Sequence, residues 1–455
     1  MLRIKSVDVL HGNLLRSIVV YCIPVILIGL VQSLFNAVDL MVLGYVADTG
    51  AVASVGATTS IIHLLVNTFF GFSSGAKVVL ARLIGAGEEE RTQKTVSTSL
   101  ILALAIGLLT AVGGFFLAGS FLRITECPAE CYEGALLYMR IYLAAAPAIM
   151  IYNFGSAILT VSGDSQRPLY YMLLSGGLNL VLNFVLCFLL PQKVAAVAIA
   201  TAISQLVGAV LVVIRLLKMD GICRLNPRRM RWSNSSFRKL VTNGVPIALS
   251  TALYPIANLQ IQTQVNSFGP ATMAGNSAMS SIETMMGTIA SSPWAATATV
   301  FVGQNLGANR TDRVKRSILY PLVISASLGV LLGTLGCLFS RYLAALYVTE
   351  EAAIAAAQTR MMYTLLPLAV SGVNSVLSHV IQAFGYSTFC TVNSVVSVLL
   401  FRVFWMNLIY PLDPSFDMLC RCYLVSWLLI LTVNVTFTLY LYYGKFKKGK
   451  LRRVM

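Results

Sequence analysis

Acidic side chains are scarce in this sequence, with 17 Asp and Glu in 455 residues, and all charged residues together make up only 11%. A chain of this length with so little charge cannot cover a water-exposed surface, so a soluble globular protein is excluded. The same scarcity argues against a membrane enzyme such as a lipid transferase, because metal-assisted chemistry on phosphates uses clustered carboxylates. Nine cysteines occur, but none of their spacings matches a zinc site. Cys127 with Cys131, and Cys420 with Cys422, are the pairs where a disulfide is conceivable, and unpaired small residues are the plainer expectation. There is no nucleotide-binding P-loop, which removes ATP as an energy source. No cofactor and no nucleic-acid partner is expected.

What the chain has in abundance is hydrophobic residues, 57% of the total. Charge-free runs such as 95–122, 194–214, 317–340 and 422–444 exceed the roughly 20 residues that a membrane-crossing helix needs. A barrel strand alternates over about 10 residues and shows no continuous apolar run, so the pattern predicts an all-α integral membrane protein. Twelve spans are expected, near 13–43, 51–80, 95–118, 131–160, 168–190, 194–217, 238–264, 270–300, 315–338, 352–383, 386–410 and 419–443. No cleavable signal is expected, since the first apolar run continues into a full span. The net charge of +16 is topological. Segments on the side of the N-terminus hold most Lys and Arg, whereas the opposite side holds only Arg123, Lys193, Arg341 and Arg421. The positive-inside rule then places both termini in the cytoplasm of a multi-pass protein of the cell (inner) membrane. The tail KFKKGKLRR is expected to rest on the anionic headgroups of the lipid bilayer.

The stretch ARLIGAGEEER, 81–91, returns as GQNLGANRTDR, 303–313, at a shift of 222 positions. At the same shift Pro24 meets Pro246, Asn36 meets Asn258 and Gly163 meets Gly385. The chain is therefore two copies of one six-helix unit. Six is even, so the copies are parallel repeats, and such lobes rock against each other around a central cavity. The expected division is an N-terminal lobe, 1–214, a cytoplasmic linker, 215–239, and a C-terminal lobe with a basic tail, 240–455. In the repeated connector, Gly-Ala would let two helices approach at a tight turn. Glu88–Glu90 in one copy face the basic run Arg310–Arg316 of the other as a breakable latch, or both sets are independently solvated.

Of the 17 acids only Asp39 and Glu283 lie inside spans. A carboxylate there costs about 2.5–3.5 kcal/mol on insertion scales and needs a partner or a purpose. Desolvation favours its protonated form, the property of a proton-coupled exchanger. Asn36 lies one turn from Asp39 on the same face, and Asn179 and Asn183 share a face of span five. Thr201 adds a hydroxyl from span six. The same amides would equally serve as interhelical hydrogen bonds. Glu283 would neutralise a cationic solute or carry a coupling ion, or else pair inside its lobe with Arg360, Arg402 or His379.

GQNLGANRTDR after span eight, VDLMVLGYVADTGAVASVGATTSI at the first turn, and NLVLNFVL with VAAVAIATAISQ in spans five and six resemble the multidrug and toxic compound extrusion (MATE) family, bacterial type, over nearly the whole chain. The resemblance implies a monomeric antiporter that expels organic, cationic or amphipathic small molecules in exchange for H⁺ or Na⁺. It assigns Asp39 to the N-lobe cation site and Asn179, Asn183 and Thr201 to its lining, and Asn36 joins the candidates by sharing a helical face with Asp39. Many members carry a second Asp where this chain has Asn183. The family's sodium-coupled branch uses acids on spans seven and ten, where this chain offers Gln260, Asn374 and His379, so H⁺ is preferred over Na⁺. Together with Glu283 these three are the C-lobe candidates for substrate or coupling. A lipid-linked saccharide flippase is the competing reading, with Lys77, Arg140, Arg360 and Arg402 as its in-span cations.

Overall fold

A computed structural model describes residues 7–46, 49–125 and 127–446, with the side chains of residues 36–51, Arg229, Leu259 and those from 445 onward outside the described set. Every regular element among the described residues is helical. The first repeat comprises α1 (Leu14–Val46), α2 (Thr49–Gly85), α3 (Glu89–Ile124), α4 (Ala129–Ala144), α5 (Ala146–Val161), α6 (Gln166–Leu189) and α7 (Lys193–Lys218). The second comprises α8 (Asn234–Ser267), α9 (Pro270–Ala290), α10 (Ser292–Gly307), α11 (Thr311–Leu338), α12 (Ser340–Ala345), α13 (Glu351–Thr364), α14 (Leu368–Ala383), α15 (Ser387–Ser394), α16 (Phe401–Phe404) and α17 (Phe416–Leu439). π-helical stretches at Val395–Leu400 and Trp405–Ile409 join α15 and α16 into one span.

Among the described residues nine helices are long and apolar enough to cross a membrane, and two bent pairs, α4 with α5 and α13 with α14, pass the same test together, each broken at 46°. Proline accounts for the breaks: Pro147 stands in the first turn of α5 and Pro367 caps α14, where each lacks the N–H that a continuous helix would use. The expected span 270–300 is also broken, at Ser291 before Pro293, into α9 and α10. It is less apolar than the others because α9 exposes Ser277, Ser280, Ser281 and Thr284. The chain packs as two compact units, one around Ile23–Gly244 and one around Val245–Met455 that also takes in Asp8–Cys22. In the first unit Ser233 and Ser236 tie the end of the linker to Thr98 and Thr95 of α3.

The duplication extends to single backbone contacts. A Cβ on Gly107 would lie 2.4 Å from the Cα of Pro147, and one on Gly329 2.5 Å from the Cα of Ala369. Corresponding members of the two pairs are 222 positions apart, and in both copies the backbones touch, α3 on α5 and α11 on α14. Membrane helices gain packing this way because lipid offers no hydrophobic drive between them.

The repeated connector is a helix stop. Gly87 has φ 69° and Asn309, its counterpart, φ 54°. The N–H of Glu88 donates to the Leu83 carbonyl at 3.1 Å and that of Gly87 to Ile84 at 3.1 Å; Arg310 donates to Asn305 at 2.9 Å and Asn309 to Leu306 at 3.1 Å. These closures satisfy the last carbonyls of α2 and α10, and they require a left-handed residue. The turn is therefore made by Gly87 and Asn309 rather than by the preceding Gly-Ala. No atom crowds a Cβ at Gly87, so backbone strain alone sets the cost of a substitution there. Gly87→Ala is expected to destabilise by about 1 kcal/mol, and Gly87→Asn by much less, since Asn tolerates this conformation. Thermal unfolding of the purified protein in detergent measures both; equal losses would refute the argument.

The charges beside these turns do not support the latch. Glu88 pairs with Arg91 at 2.8 Å and Glu90 with Lys94 at 2.6 Å, all on exposed local turns. Arg310 and Arg313 instead hold the N-terminal segment of their own unit: Arg310 donates to the Leu10 carbonyl at 2.5 Å, and Arg313 to those of Gly12 at 3.0 Å and Val9 at 3.3 Å. Asp8 accepts the N–H groups of Leu10 and His11 at 2.9 Å, which shapes that segment for the two guanidinium groups.

Candidate functional site

Each unit carries a polar cluster inside its spans, and the two overlap in repeat register at Thr201 with Tyr423 and at Leu180 with Arg402. In the first unit Asn179 and Asn183 stack one turn apart on α6, and both are buried. The Asn183 amide donates to the Asn179 carbonyl oxygen at 3.2 Å, and the Asn179 amide donates to the Thr201 hydroxyl on α7 at 3.3 Å. Thr201 in turn donates to the Val197 carbonyl at 3.0 Å. Three of the expected N-lobe residues are thus brought together across two helices. Asn36 and Asp39 belong to α1, and their side chains lie outside the described residues. His63 is exposed on α2.

In the second unit Glu283, 23% exposed on α9, accepts from Arg360 of α13 at 3.1 Å. Arg360 also donates to the Asn276 backbone carbonyl at 3.1 Å and to its side-chain oxygen at 2.5 Å. The Asn276 amide continues to Gln262 of α8 at 3.2 Å. Of the partners open to Glu283, the structure selects Arg360. Arg402 goes elsewhere: it donates to the side-chain oxygen of Asn258 at 2.6 Å. The Tyr423 ring on α17 lies between these cations, with the Arg402 guanidinium 4.8 Å and the Arg360 guanidinium 5.2 Å from its centre. A ring face attracts a cation, and more so where water is excluded.

The other expected C-lobe residues are dispersed. Gln260 is exposed on α8. Asn374 accepts from Asn434 at 2.5 Å, in a run of amides and hydroxyls that continues through Ser378, Asn393 and Ser397 and ties α14, α15 and α17 together. The ring nitrogen Nδ1 of His379 is 2.9 Å from the Ser375 carbonyl one turn back, which makes Nδ1 the protonated nitrogen. Among the described residues no three His, Cys, Asp or Glu side chains converge as a metal site would require. All nine cysteines are free thiols, and Cys422 packs beside Tyr423 in an apolar cluster.

Tyr423, Asn258 and Asn276 were not singled out from the sequence. The repeat carried a signal for two of them: Asn36 and Thr201 in the first copy fall on Asn258 and Tyr423 in the second. A polar search overlooks a tyrosine, whose apolar ring reads as core or lipid contact.

Comparison with known proteins agrees with this architecture. The MatE family model matches twice, over residues 24–185 and 246–406. A "Probable multidrug resistance protein YoeA" of Bacillus subtilis (strain 168) is 26% identical, covering 84% of each chain. A "FAD transporter" of Shewanella oneidensis is also 26% identical, covering 70% of this chain and 74% of its own. A solved outward-facing structure of a multidrug resistance MATE family transporter of the MOP superfamily superposes with a TM-score of 0.88 at 21% identity, over 98% of this chain and 99% of its own. Its likeness bears on the fold. With the family model repeated in step with the two six-helix copies, the chain belongs to the MatE family of multi-pass membrane transporters, the MATE proteins.

Proposed function

We propose that this protein performs secondary active efflux of organic, cationic or amphipathic compounds by antiport with H⁺, through alternating access of its two lobes. The observation that carries the reading is the cluster of the buried Asn179 and Asn183 amides with the half-buried Thr201 hydroxyl, placed in the repeat whose only acid away from the span ends is Asp39. Buried polar groups at this depth are costly unless they serve a path for ions or solutes. The names of the relatives, multidrug resistance proteins and a FAD transporter, support an organic cargo. H⁺ is preferred to Na⁺ because a lone carboxylate among neutral amides lacks the charge that a dehydrated Na⁺ calls for, whereas one proton neutralises it. The proposed frame is an N-terminal lobe at 1–214, a linker at 215–239 and a C-terminal lobe at 240–455. It acts as a monomer in the cell (inner) membrane with both termini cytoplasmic. The flippase alternative needs several free cations around one cavity, whereas Arg360 is paired with Glu283, and Lys77 and Arg140 sit on the rings of Phe70 and Phe115.

Dye efflux from everted vesicles tests this directly. A proton gradient alone is expected to drive transport and a sodium gradient alone to leave the dye distribution unchanged. Transport driven by sodium alone would overturn the coupling assignment.

A further inference from the structure

In sequence register the two copies differ in their in-span charges. At the 222-residue shift Asp39 corresponds to Ile261, an apolar residue 1% exposed, while Leu180 corresponds to Arg402. The second copy has lost the acid and gained a cation. Arg402 is only 2% exposed, and among the described residues it makes no ion pair. Its polar partner is the neutral Asn258, and its Nε has no acceptor among the described residues. The nearby Glu283 is bound to Arg360. Two guanidinium groups around one tyrosine ring against one carboxylate leave a buried excess of positive charge. Such a charge is not retained for stability, since an apolar residue of similar volume does as well or better.

The backbone is also unusual here. Arg402 lies in α16 between two π-helical stretches, Val395–Leu400 and Trp405–Ile409, whereas its counterpart α6 is regular. π-helical insertions concentrate at functional sites. Beside Arg402 lies a polar face, where Asn258 and Gln260 of α8 and Ser277, Ser280, Ser281 and Thr284 of α9 are exposed. That many hydroxyl and amide groups on two facing-out surfaces would be costly against hydrocarbon, so this side is wetted.

We infer that Arg402, with Tyr423 and Asn258, forms an oxyanion site in the second unit that takes the carboxylate or phosphate group of an amphiphilic organic molecule. The Asn258 oxygen accepts from Nη1 at 2.6 Å, in a place an oxyanion can take, and Nε, on another edge of the guanidinium, is left as a further unsatisfied donor. The Tyr423 ring lies 4.8 Å from the same guanidinium. The inference rests on the efflux reading only in that the guest is an organic solute; it needs no coupling ion and no lobe movement.

Equilibrium binding in nanodiscs, without any gradient, separates it from the antiport reading. The full-length protein in phosphatidylcholine discs is titrated with carboxyfluorescein, an anionic dye, and with rhodamine 6G, a cationic one. Arg402→Gln is expected to weaken carboxyfluorescein tenfold or more, on the order of one hydrogen bond to a charged group, and to leave rhodamine 6G within about twofold. Equal weakening of both dyes would mark Arg402 as a packing strut and overturn the proposal, as would the absence of saturable carboxyfluorescein binding to the natural protein. Where the variant does not fold, displacement on the natural protein decides: inorganic pyrophosphate must compete with carboxyfluorescein and not with rhodamine 6G, and failure to compete counts against the site. Phosphatidylglycerol added to the discs distinguishes the source of the oxyanion. Competition by the lipid identifies a headgroup as the guest, and indifference to it identifies a free solute.

Discussion

Replacing Asp39 by Asn is expected to reduce substrate/H⁺ exchange in proteoliposomes to the level of protein-free vesicles, with insertion and fold retained. Asp39 is the only acid placed away from the ends of the expected spans of the first repeat; Glu89, Glu90, Glu130 and Glu133 stand near the starts of α3 and α4. The residues expected to accompany it are neutral: Asn179, Asn183 and Thr201 exchange hydrogen bonds among themselves and offer no second carboxylate. A proton carried through this lobe therefore has one acceptor with a suitable affinity, since an amide does not titrate. Asn keeps the shape and the hydrogen-bonding reach of Asp while removing the titration. Uncoupled downhill movement of substrate can survive; movement driven by the pH gradient should not. Full coupling in Asp39→Asn would refute the assigned role.

The second large effect is expected at Glu283. Removal of one member of a buried ion pair leaves the other charge uncompensated, at about 3–5 kcal/mol for a fully buried pair. Glu283 is 23% exposed, so solvent screens part of this and about 1–3 kcal/mol is the expected loss of stability for Glu283→Gln. The variant would leave Arg360 and Arg402 as two positive groups around Tyr423. A thermal unfolding cycle with Glu283→Gln, Arg360→Gln and the double variant isolates the pairing. The double variant should recover part of the loss, because it removes both charges together. Strict additivity would show that the two side chains do not stabilise each other. The charge of Glu283 is taken up by Arg360, so recognition of a cationic solute by this carboxylate requires the pair to open.

Much of this architecture was legible in the sequence. The spans follow from hydropathy, and the repeat follows from a constant shift that also brings α3 into register with α11 and α4 with α13. The breaks within three spans have their signal in Pro147, Pro293 and Pro367, although a proline in a membrane helix does not by itself tell a bend from a break. The repeated connector was recognisable, but its working residue was misplaced by one or two positions. The left-handed backbone of Gly87 and Asn309 shows only once the helix end is located. The latch between acidic and basic loops found no support within either unit. Glu88 and Glu90 have partners one turn away, and Arg310 and Arg313 donate to backbone carbonyls 300 or more residues earlier in the chain.

Membrane residence, helical class, duplication and the scarcity of in-span charge were determined by the order of residues alone, because each depends on composition summed along a single helix or on turn chemistry within a few residues. Which guanidinium meets Glu283, and which remains over Tyr423 with an amide for company, was decided only in three dimensions. Such pairings depend on the rotation and depth of helices far apart in sequence. Those are set by contacts such as Gly329 on Ala369, where the absence of one methyl group lets two backbones meet.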